Sequence, residues 1–458
     1  MVLRCAWPLC RWLWGQDKTM VEAMDETMTT ATTSFTLIKK GRLIDPKNGF
    51  DKVTDIAIER SKIIGIGKQI PADFKATTTI DANGLWVLPG IIDLSAYLRE
   101  PGLENKTRIS YETYAAVSAG ITQICCMPET DSPIDTGAVV KLIRSKVKQA
   151  GFARVRMIGA LTQKLEGQQL SPMGSLKYVG CVGVTQGWNA VKDLATLRKC
   201  MEYAATFELP LFLHPLEHSL MEKGGMHEGA LATRLGLPPI PVAAETAAMA
   251  QIISLVEQTH TPVHFCRLST AKSIHLLKQA KEDGLPITAD VAIHQLFLTE
   301  MDLCDYNPLC HTIPPFRSER DRDALRQAVA DNVIDAICSD HQPHEIDAKL
   351  APFEETSPGI SGFETLLPLT LRLVEENVLD LNQAIAYLTH QPASLIGSEA
   401  GTIKIGKRAD LSLFDPNNFW QLDAEKLLSN GKNTPFSGWS FNGKTVQTLV
   451  KGKTVYKL

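Results

Sequence analysis

The sequence has no Cys-x-x-Cys pair, although it contains ten cysteines. They fall singly inside apolar runs (Cys181, Cys266, Cys338) or side by side (Cys125, Cys126), which argues against a disulfide framework and reads as buried thiols of a cytoplasmic protein. No stretch approaches the ~18 consecutive apolar residues of a membrane span, so no membrane association is expected. A large charge imbalance is also missing: the formal net charge is −4, which excludes a nucleic-acid-binding polycation or a protein drawn to anionic lipid. The start, MVLRCAWPLCRWLWG, is apolar, but Pro8 and Arg11 interrupt any secretory core and no small-residue cleavage site follows. Lastly, no G-x-G-x-x-G turn follows the first buried strand, and an open doubly wound sheet would normally carry one.

What is present is a chain of 458 residues with 44% hydrophobic and 21% charged residues, enough for a large core. Met20, Met24 and Met28 precede a Thr-rich stretch, so residues 1–33 read as a disordered extension or an overlong start. From residue 34 to 84, short β-like runs (FTLIKKGRLIDPKNG, DKVTDIAIERSKIIGIG, TTTIDANG) alternate with turn residues and read as hairpins. Residues 399–458 share that texture, and the two ends are expected to pair into one composite β-domain. Between them, over 85–398, eight buried strand-like runs recur: GIIDLSAYL, GITQICCMPE, RVRMIGAL, GCVGVTQG, LPLFLHP, TPVHFCRLS, LPITADVAIH and NVIDAICSDH. Amphipathic segments such as TGAVVKLIRSKVKQAG separate them, and polar residues crowd their C-terminal ends. This pattern predicts an α/β protein built on a (β/α)8 barrel with its chemistry at the strand ends.

The segments LPGIIDLSAYLREPG, CCMPETDSPIDT, SDHQPH, SPGISGFETLLPL and NTPFSGWSFNGKTVQTLVKGKTVY carry a resemblance to the class I dihydroorotases of the amidohydrolase superfamily, extending from about residue 35 to 458. The resemblance implies a TIM barrel of the amidohydrolase type with a small β-sandwich domain built from both termini. It also implies hydrolysis of a cyclic amide by a metal-activated hydroxide. That metal is held by a His-x-His pair after the first barrel strand, an acidic or carboxylated-lysine ligand after the fourth, histidines after the fifth and sixth, and an aspartate after the eighth.

On this chain those metal positions fall on Ser95, Tyr97, Gln186 (in the run Thr185-Gln186-Gly187), His214, Arg267 and Asp340. Zinc needs lone-pair donors such as imidazole, thiolate or carboxylate. A guanidinium has five donors and no acceptor, so Arg267 would repel the ion. Only His214 and Asp340 keep ligand-type chemistry, fewer than the three protein ligands of a catalytic zinc. No metal and no other cofactor is therefore expected, in contrast to the zinc of active relatives. His264, Cys266, His341 and His344 lie near in sequence; the latter two belong to SDHxPH as framework or substrate-side residues, while His218, His227, His260, His275 and His390 read as surface or packing residues.

The resemblance further assigns substrate-carboxylate recognition to an arginine and two asparagines. Arg99 remains, one asparagine position holds Glu129, and the other holds Ile313. Glu129 is expected to pair with Arg99 and occupy the pocket, so that Arg99, Glu129 and His344 are vestigial substrate-binding residues and Asp340 a vestigial catalytic one. Meanwhile the turn residues Pro89-Gly90, Pro101-Gly102, Pro358-Gly359 and Gly362 are in place. An intact fold without metal chemistry suggests a catalytically inactive dihydroorotase-like protein of pyrimidine biosynthesis. The resemblance gives it a role as a structural or assembly subunit for the aspartate transcarbamoylase catalytic subunit, cytoplasmic and homo-oligomeric. The alternatives are a divergent cyclic-amide hydrolase (dihydroorotase, dihydropyrimidinase or allantoinase-like) with a rebuilt or single-metal site, and a small-molecule sensor.

Overall fold

The computed structural model describes residues 34–458; the extension expected over residues 1–33 lies outside the described residues. The chain opens with β1 (Phe35–Asp45), β2 (Phe50–Glu59), β3 (Lys62–Ile66), β4 (Thr78–Asp81) and β5 (Trp86–Pro89). The first two form an antiparallel hairpin whose register shifts between Ile38 and Gly41. Gly41 is needed there, because a Cβ would lie 2.4 Å from Val87 Cγ2. β3 extends the hairpin antiparallel, whereas β4 and β5 both run parallel to β1, so the TTTIDANG segment is not a hairpin arm as its turn residues suggested. Parallel pairing requires a crossover, which local turn chemistry does not reveal.

All eight expected buried runs become barrel strands. They are β6 (Ile91–Ala96), β7 (Ile121–Cys126), β8 (Arg154–Ala160), β9 (Gly183–Thr185) and β10 (Leu211–Leu213), followed, after a short parallel ribbon of β11 (Met226–His227) and β12 (Pro239–Ile240), by β13 (Val263–Phe265), β14 (Ile287–Ala292) and β15 (Ala336–Cys338). Neighbours pair in parallel in chain order from β6 to β15. Helices such as Gly137–Ala150 return the chain along the outside: Val140 and Ile143 face inward at helical spacing, and Gly151 ends the helix at φ 75°.

The barrel closes where β15 meets β6. Tyr97 N–H donates to His341 O (2.9 Å) and His341 N–H to Ser95 O (3.1 Å). Asp93 on β6 accepts from Ser339 N (2.9 Å) and Ser339 Oγ (2.5 Å). Inside, Ile92, Leu94, Cys125, Ile158, Phe212, Cys266 and Cys338 fill the axis, and Ala393 and Ile396 plug the end nearest the strand starts.

The C-terminal strands β16 (Leu411–Gln421), β17 (Ser440–Val450) and β18 (Lys453–Lys457) complete the terminal domain as a single sheet in the order β18-β17-β16-β5-β1-β2-β3, with β4 beside β1. The sandwich expected from the two termini thus takes the form of one continuous eight-stranded sheet with its own apolar cluster around Ile38, Ile56, Val87 and Leu411. β5, just past the division expected at residue 84/85, hydrogen-bonds to both β1 and β16. All eight cysteines among the described residues are free. No helix among the described residues is long and apolar enough to cross a membrane.

Candidate functional site

Each residue at a family metal position sits at the C-terminal end of its barrel strand: Ser95 and Tyr97 at the end of β6, Gln186 after β9, His214 after β10, Arg267 after β13 and Asp340 after β15. Arg267 (φ 52°), Asp340 (φ 46°) and Arg99 (φ 61°) have left-handed backbones, which disfavours non-glycine residues by roughly 1–2 kcal/mol each. The surrounding barrel holds them there.

Arg267 is the centre. Its side chain is fully buried, and Nη2 donates to His214 Nε2 at 2.7 Å. Nη1 lies 3.4 Å from Asp290 Oδ2, the backbone N–H donates to Asp290 Oδ1 at 2.6 Å, and Nε lies 3.5 Å from Asp340 Oδ1. Asp290 also accepts from His264 Nε2 (3.0 Å), whose Nδ1 meets Thr288 Oγ1 (2.8 Å). Asp340 in turn accepts from Ser95 Oγ (3.0 Å) and Gln342 Nε2 (2.9 Å). One guanidinium therefore binds two buried aspartates and a histidine into a single network.

The electrostatics follow from that placement. Burial opposes the charge on Arg267, but the neighbouring Cys266 and the Asp290 and Asp340 carboxylates outweigh it and hold the guanidinium well above its usual range. Burial would raise the Asp290 carboxyl, yet Arg267 and the His264 bond keep it low. For His214, burial and then the Arg267 cation push the imidazole well below its usual range, so it stays neutral and accepts from Arg267. Its Nδ1 has no partner among the described residues, and the Trp188 ring packs on it with centroids 3.6 Å apart. Little space remains at the mouth: a cavity of about 10 Å³ lies against Trp188, His214, Arg267 and Ile313, room for about one water.

The other sequence-selected residues are placed as follows. Gln186 turns to the 162–165 loop, accepting from Thr162 Oγ1 (2.8 Å) and donating to Leu165 O (2.9 Å). The expected Arg99–Glu129 pair does not form. Arg99 instead approaches His344 Nε2 (3.1 Å), donates to Pro343 O (3.3 Å) and lies over the Tyr97 ring (5.1 Å). Glu129 sits with Oε1 3.5 Å from Tyr97 OH and Oε2 without a hydrogen-bond partner among the described residues, its carboxyl raised by burial against the pull of Arg267 and Arg99. Glu129 packs so closely on Gly187 that a Cβ there would lie 1.9 Å from its Oε1. The physical reason for the difference is competition: the guanidinium of Arg99 is engaged by Pro343 O and His344 in the loop after β15, and Tyr97 contacts both Arg99 and Glu129.

A family model described as "Amidohydrolase family" matches residues 86–455. The chain belongs to the amidohydrolase family. Within it the type is dihydroorotase-like: a protein of Pseudomonas putida named "Dihydroorotase-like protein" is 46% identical over 411 residues, 90% of this chain and 96% of that one. A protein of Geobacter metallireducens named "Dihydroorotase" is 41% identical over 421 residues, 92% of this chain and 99% of that one. Among solved structures, the L-hydantoinase (dihydropyrimidinase) from Arthrobacter aurescens superposes with a TM-score of 0.82 at 23% identity, covering 92% of this chain and 96% of its own, a likeness of fold.

The zinc of active amidohydrolases can be tested against these donors. The family positions offer a hydroxyl, a phenol, an amide and a guanidinium beside one imidazole and one carboxylate, and the imidazole's Nε2 is already bonded to the guanidinium. A divalent ion about 4 Å from a guanidinium charge would be repelled by about 8 kcal/mol at an effective dielectric of about 20. His264, Cys266 and Asp290 do bring ligand-type atoms within 4.8 Å of one another. However, the His264 and Asp290 atoms are mutually bonded, burial raises the Cys266 thiol, and Arg267 lies beside both Asp290 and Cys266. The residues present do not fit a catalytic zinc.

Sequence reasoning missed Asp290, His264 and Thr288 as members of the network. The signal available was the acid inside the apolar run ITADVA, since a carboxylate on a buried strand requires a counter-charge. It also missed Asn433 of the NTPFSGW segment. That amide donates to Gln342 O (2.9 Å) and Gly359 O (3.0 Å) and accepts from His344 N (2.9 Å), tying the C-terminal segment to the loop after β15. His341 is framework: it bonds Glu112 (2.8 Å) and stacks on Phe363 at 3.7 Å.

Proposed function

We propose that this chain is a catalytically inactive dihydroorotase-like protein that serves as a structural or assembly subunit for the catalytic subunit of aspartate transcarbamoylase, itself homo-oligomeric and cytoplasmic. The observation that carries the first half is the position of Arg267, whose guanidinium bridges His214, Asp290 and Asp340 where an active relative would need a divalent ion. A site without a Lewis acid cannot lower the pKa of an attacking water toward neutrality. The second half rests on the retention of a complete barrel and terminal sheet around that site, which leaves the exterior as the working part. A divergent cyclic-amide hydrolase is the competing reading, favoured by the 41% identity to a protein named "Dihydroorotase" and by Asp340 at the mouth. Dihydroorotate turnover by the purified protein, with and without added zinc, separates the two: the proposal expects none in either case, and zinc-dependent turnover would establish the hydrolase. Co-purification with the cognate aspartate transcarbamoylase tests the partner.

A further inference from the structure

We propose that the barrel carries a second binding site at the end opposite the mouth, one that takes a small, largely apolar molecule bearing a single hydroxyl or amine. A cavity of about 290 Å³ opens there, between the starts of three adjacent strands and Leu395 of the plugging helix His390–Leu395. Amidohydrolase chemistry belongs to the strand C-termini, so this space is separate from the site around Arg267 and independent of the assembly role.

Its lining fixes the ligand class. Pro210, Pro262 and Pro286 directly precede β10, β13 and β14 and all line the cavity. A proline has no N–H to offer. Their carbonyls already accept from the neighbouring strands: Pro210 O from Val184 N (3.1 Å), Pro262 O from Leu211 N (3.0 Å) and Pro286 O from Val263 N (3.1 Å). Leu285, Ile287 and Leu395 add apolar surface.

Two polar side chains, Thr288 and His264, reach this wall. Asp290, held ionised by Arg267, only accepts, so His264 Nε2 carries the hydrogen of that 3.0 Å bond. His264 Nδ1 lies 2.8 Å from the Thr288 hydroxyl. A hydroxyl can take part in up to three hydrogen bonds, so Thr288 Oγ1 retains capacity beyond that one. A ligand that uses it brings a single polar group of its own, with an apolar body of one or two rings to match the walls.

The experiment uses 4-fluorophenol and fluorobenzene as ligands, followed by fluorine NMR on the full chain. The expected result is saturable binding of 4-fluorophenol at one site, weakened about fivefold in Thr288→Val as one hydrogen bond is lost and restored in Thr288→Ser, with fluorobenzene indifferent to both changes. Leu395→Trp, filling the cavity, abolishes binding of both compounds where circular dichroism shows the variant folded. If that variant does not fold, the Thr288 pair alone decides. Absence of saturable binding, binding that survives Leu395→Trp in a folded protein, or equal losses of both compounds in Thr288→Val would each overturn the proposal.

Discussion

Arg267 has two functions in the buried mouth: it supplies the positive charge that Asp290 and Asp340 need, and it denies that place to a metal. Replacing it by methionine keeps the volume but leaves both carboxylates without their cation, a change that typically costs about 3–5 kcal/mol when one partner of a buried ion pair is removed. Arg267→Met is expected to lower the urea midpoint accordingly, and an unchanged midpoint would show that the guanidinium is not the counter-charge. The same geometry makes catalysis hard to restore. Ser95→His with Tyr97→His rebuilds the family's first ligand pair, yet Arg267 still lies 2.7 Å from His214 Nε2 and Gln186 remains bonded to the 162–165 loop. The double variant is expected to show no dihydroorotate turnover in the presence of zinc, because residues that act as a unit are strongly non-additive. At this scale the sequence exposed which residue types stand at the strand ends, since each follows directly on an apolar run. It did not expose who pairs with whom. Arg99 and Glu129 are close in family function but sit on loops after different strands, and the partners that Arg99 takes, Pro343 O and His344, come from a third loop more than 240 residues away in the sequence.

The element that carries the mouth is the seam between β6 and β15, where Asp93 receives two hydrogen bonds from Ser339. Burial raises the Asp93 carboxyl to about 7 in spite of those bonds, while in the unfolded chain an aspartate titrates near ~3.9. A folded-state pKa above the unfolded one means that the folded protein binds the extra proton between those values. The contribution is fully present below pH ~4 and is lost as the pH rises through about 7. Asp93→Asn cannot ionise, so it should gain on the wild type by on the order of a few kcal/mol between pH ~4 and ~8. Denaturation curves at the two pH values check this, and parallel pH profiles would contradict it. The strands themselves were legible because parallel barrel strands buried on both faces read as continuous apolar runs bounded by glycine and proline. The parallel pairing of β4 and β5 with β1 was not, because it depends on contacts between distant segments and not on the turns that flank them.

Across the whole molecule, the barrel and the terminal sheet surround a mouth whose residues do not fit a catalytic zinc, and the relatives are matched over nearly their full length, 96% for the Pseudomonas putida protein. Composition and charge bounded the partners without identifying one; interface chemistry is spread over a surface and has no short motif. Assembly interfaces of the obligate kind commonly bury more than ~2,000 Å², which stabilises both partners by mass action. A variant confined to the mouth should leave such a contact intact: Asp340→Asn, which keeps a side chain able to bond Ser95 and Gln342, is expected to co-purify with the transcarbamoylase as the wild type does, and loss of co-purification from the folded variant would place the mouth within the interface. The most direct measurement is sedimentation velocity of an equimolar, micromolar mixture of this protein with the catalytic subunit of its cognate aspartate transcarbamoylase. The account predicts one boundary moving faster than either protein alone and carrying carbamoyl-transfer activity; two boundaries at the rates of the separate proteins would contradict it.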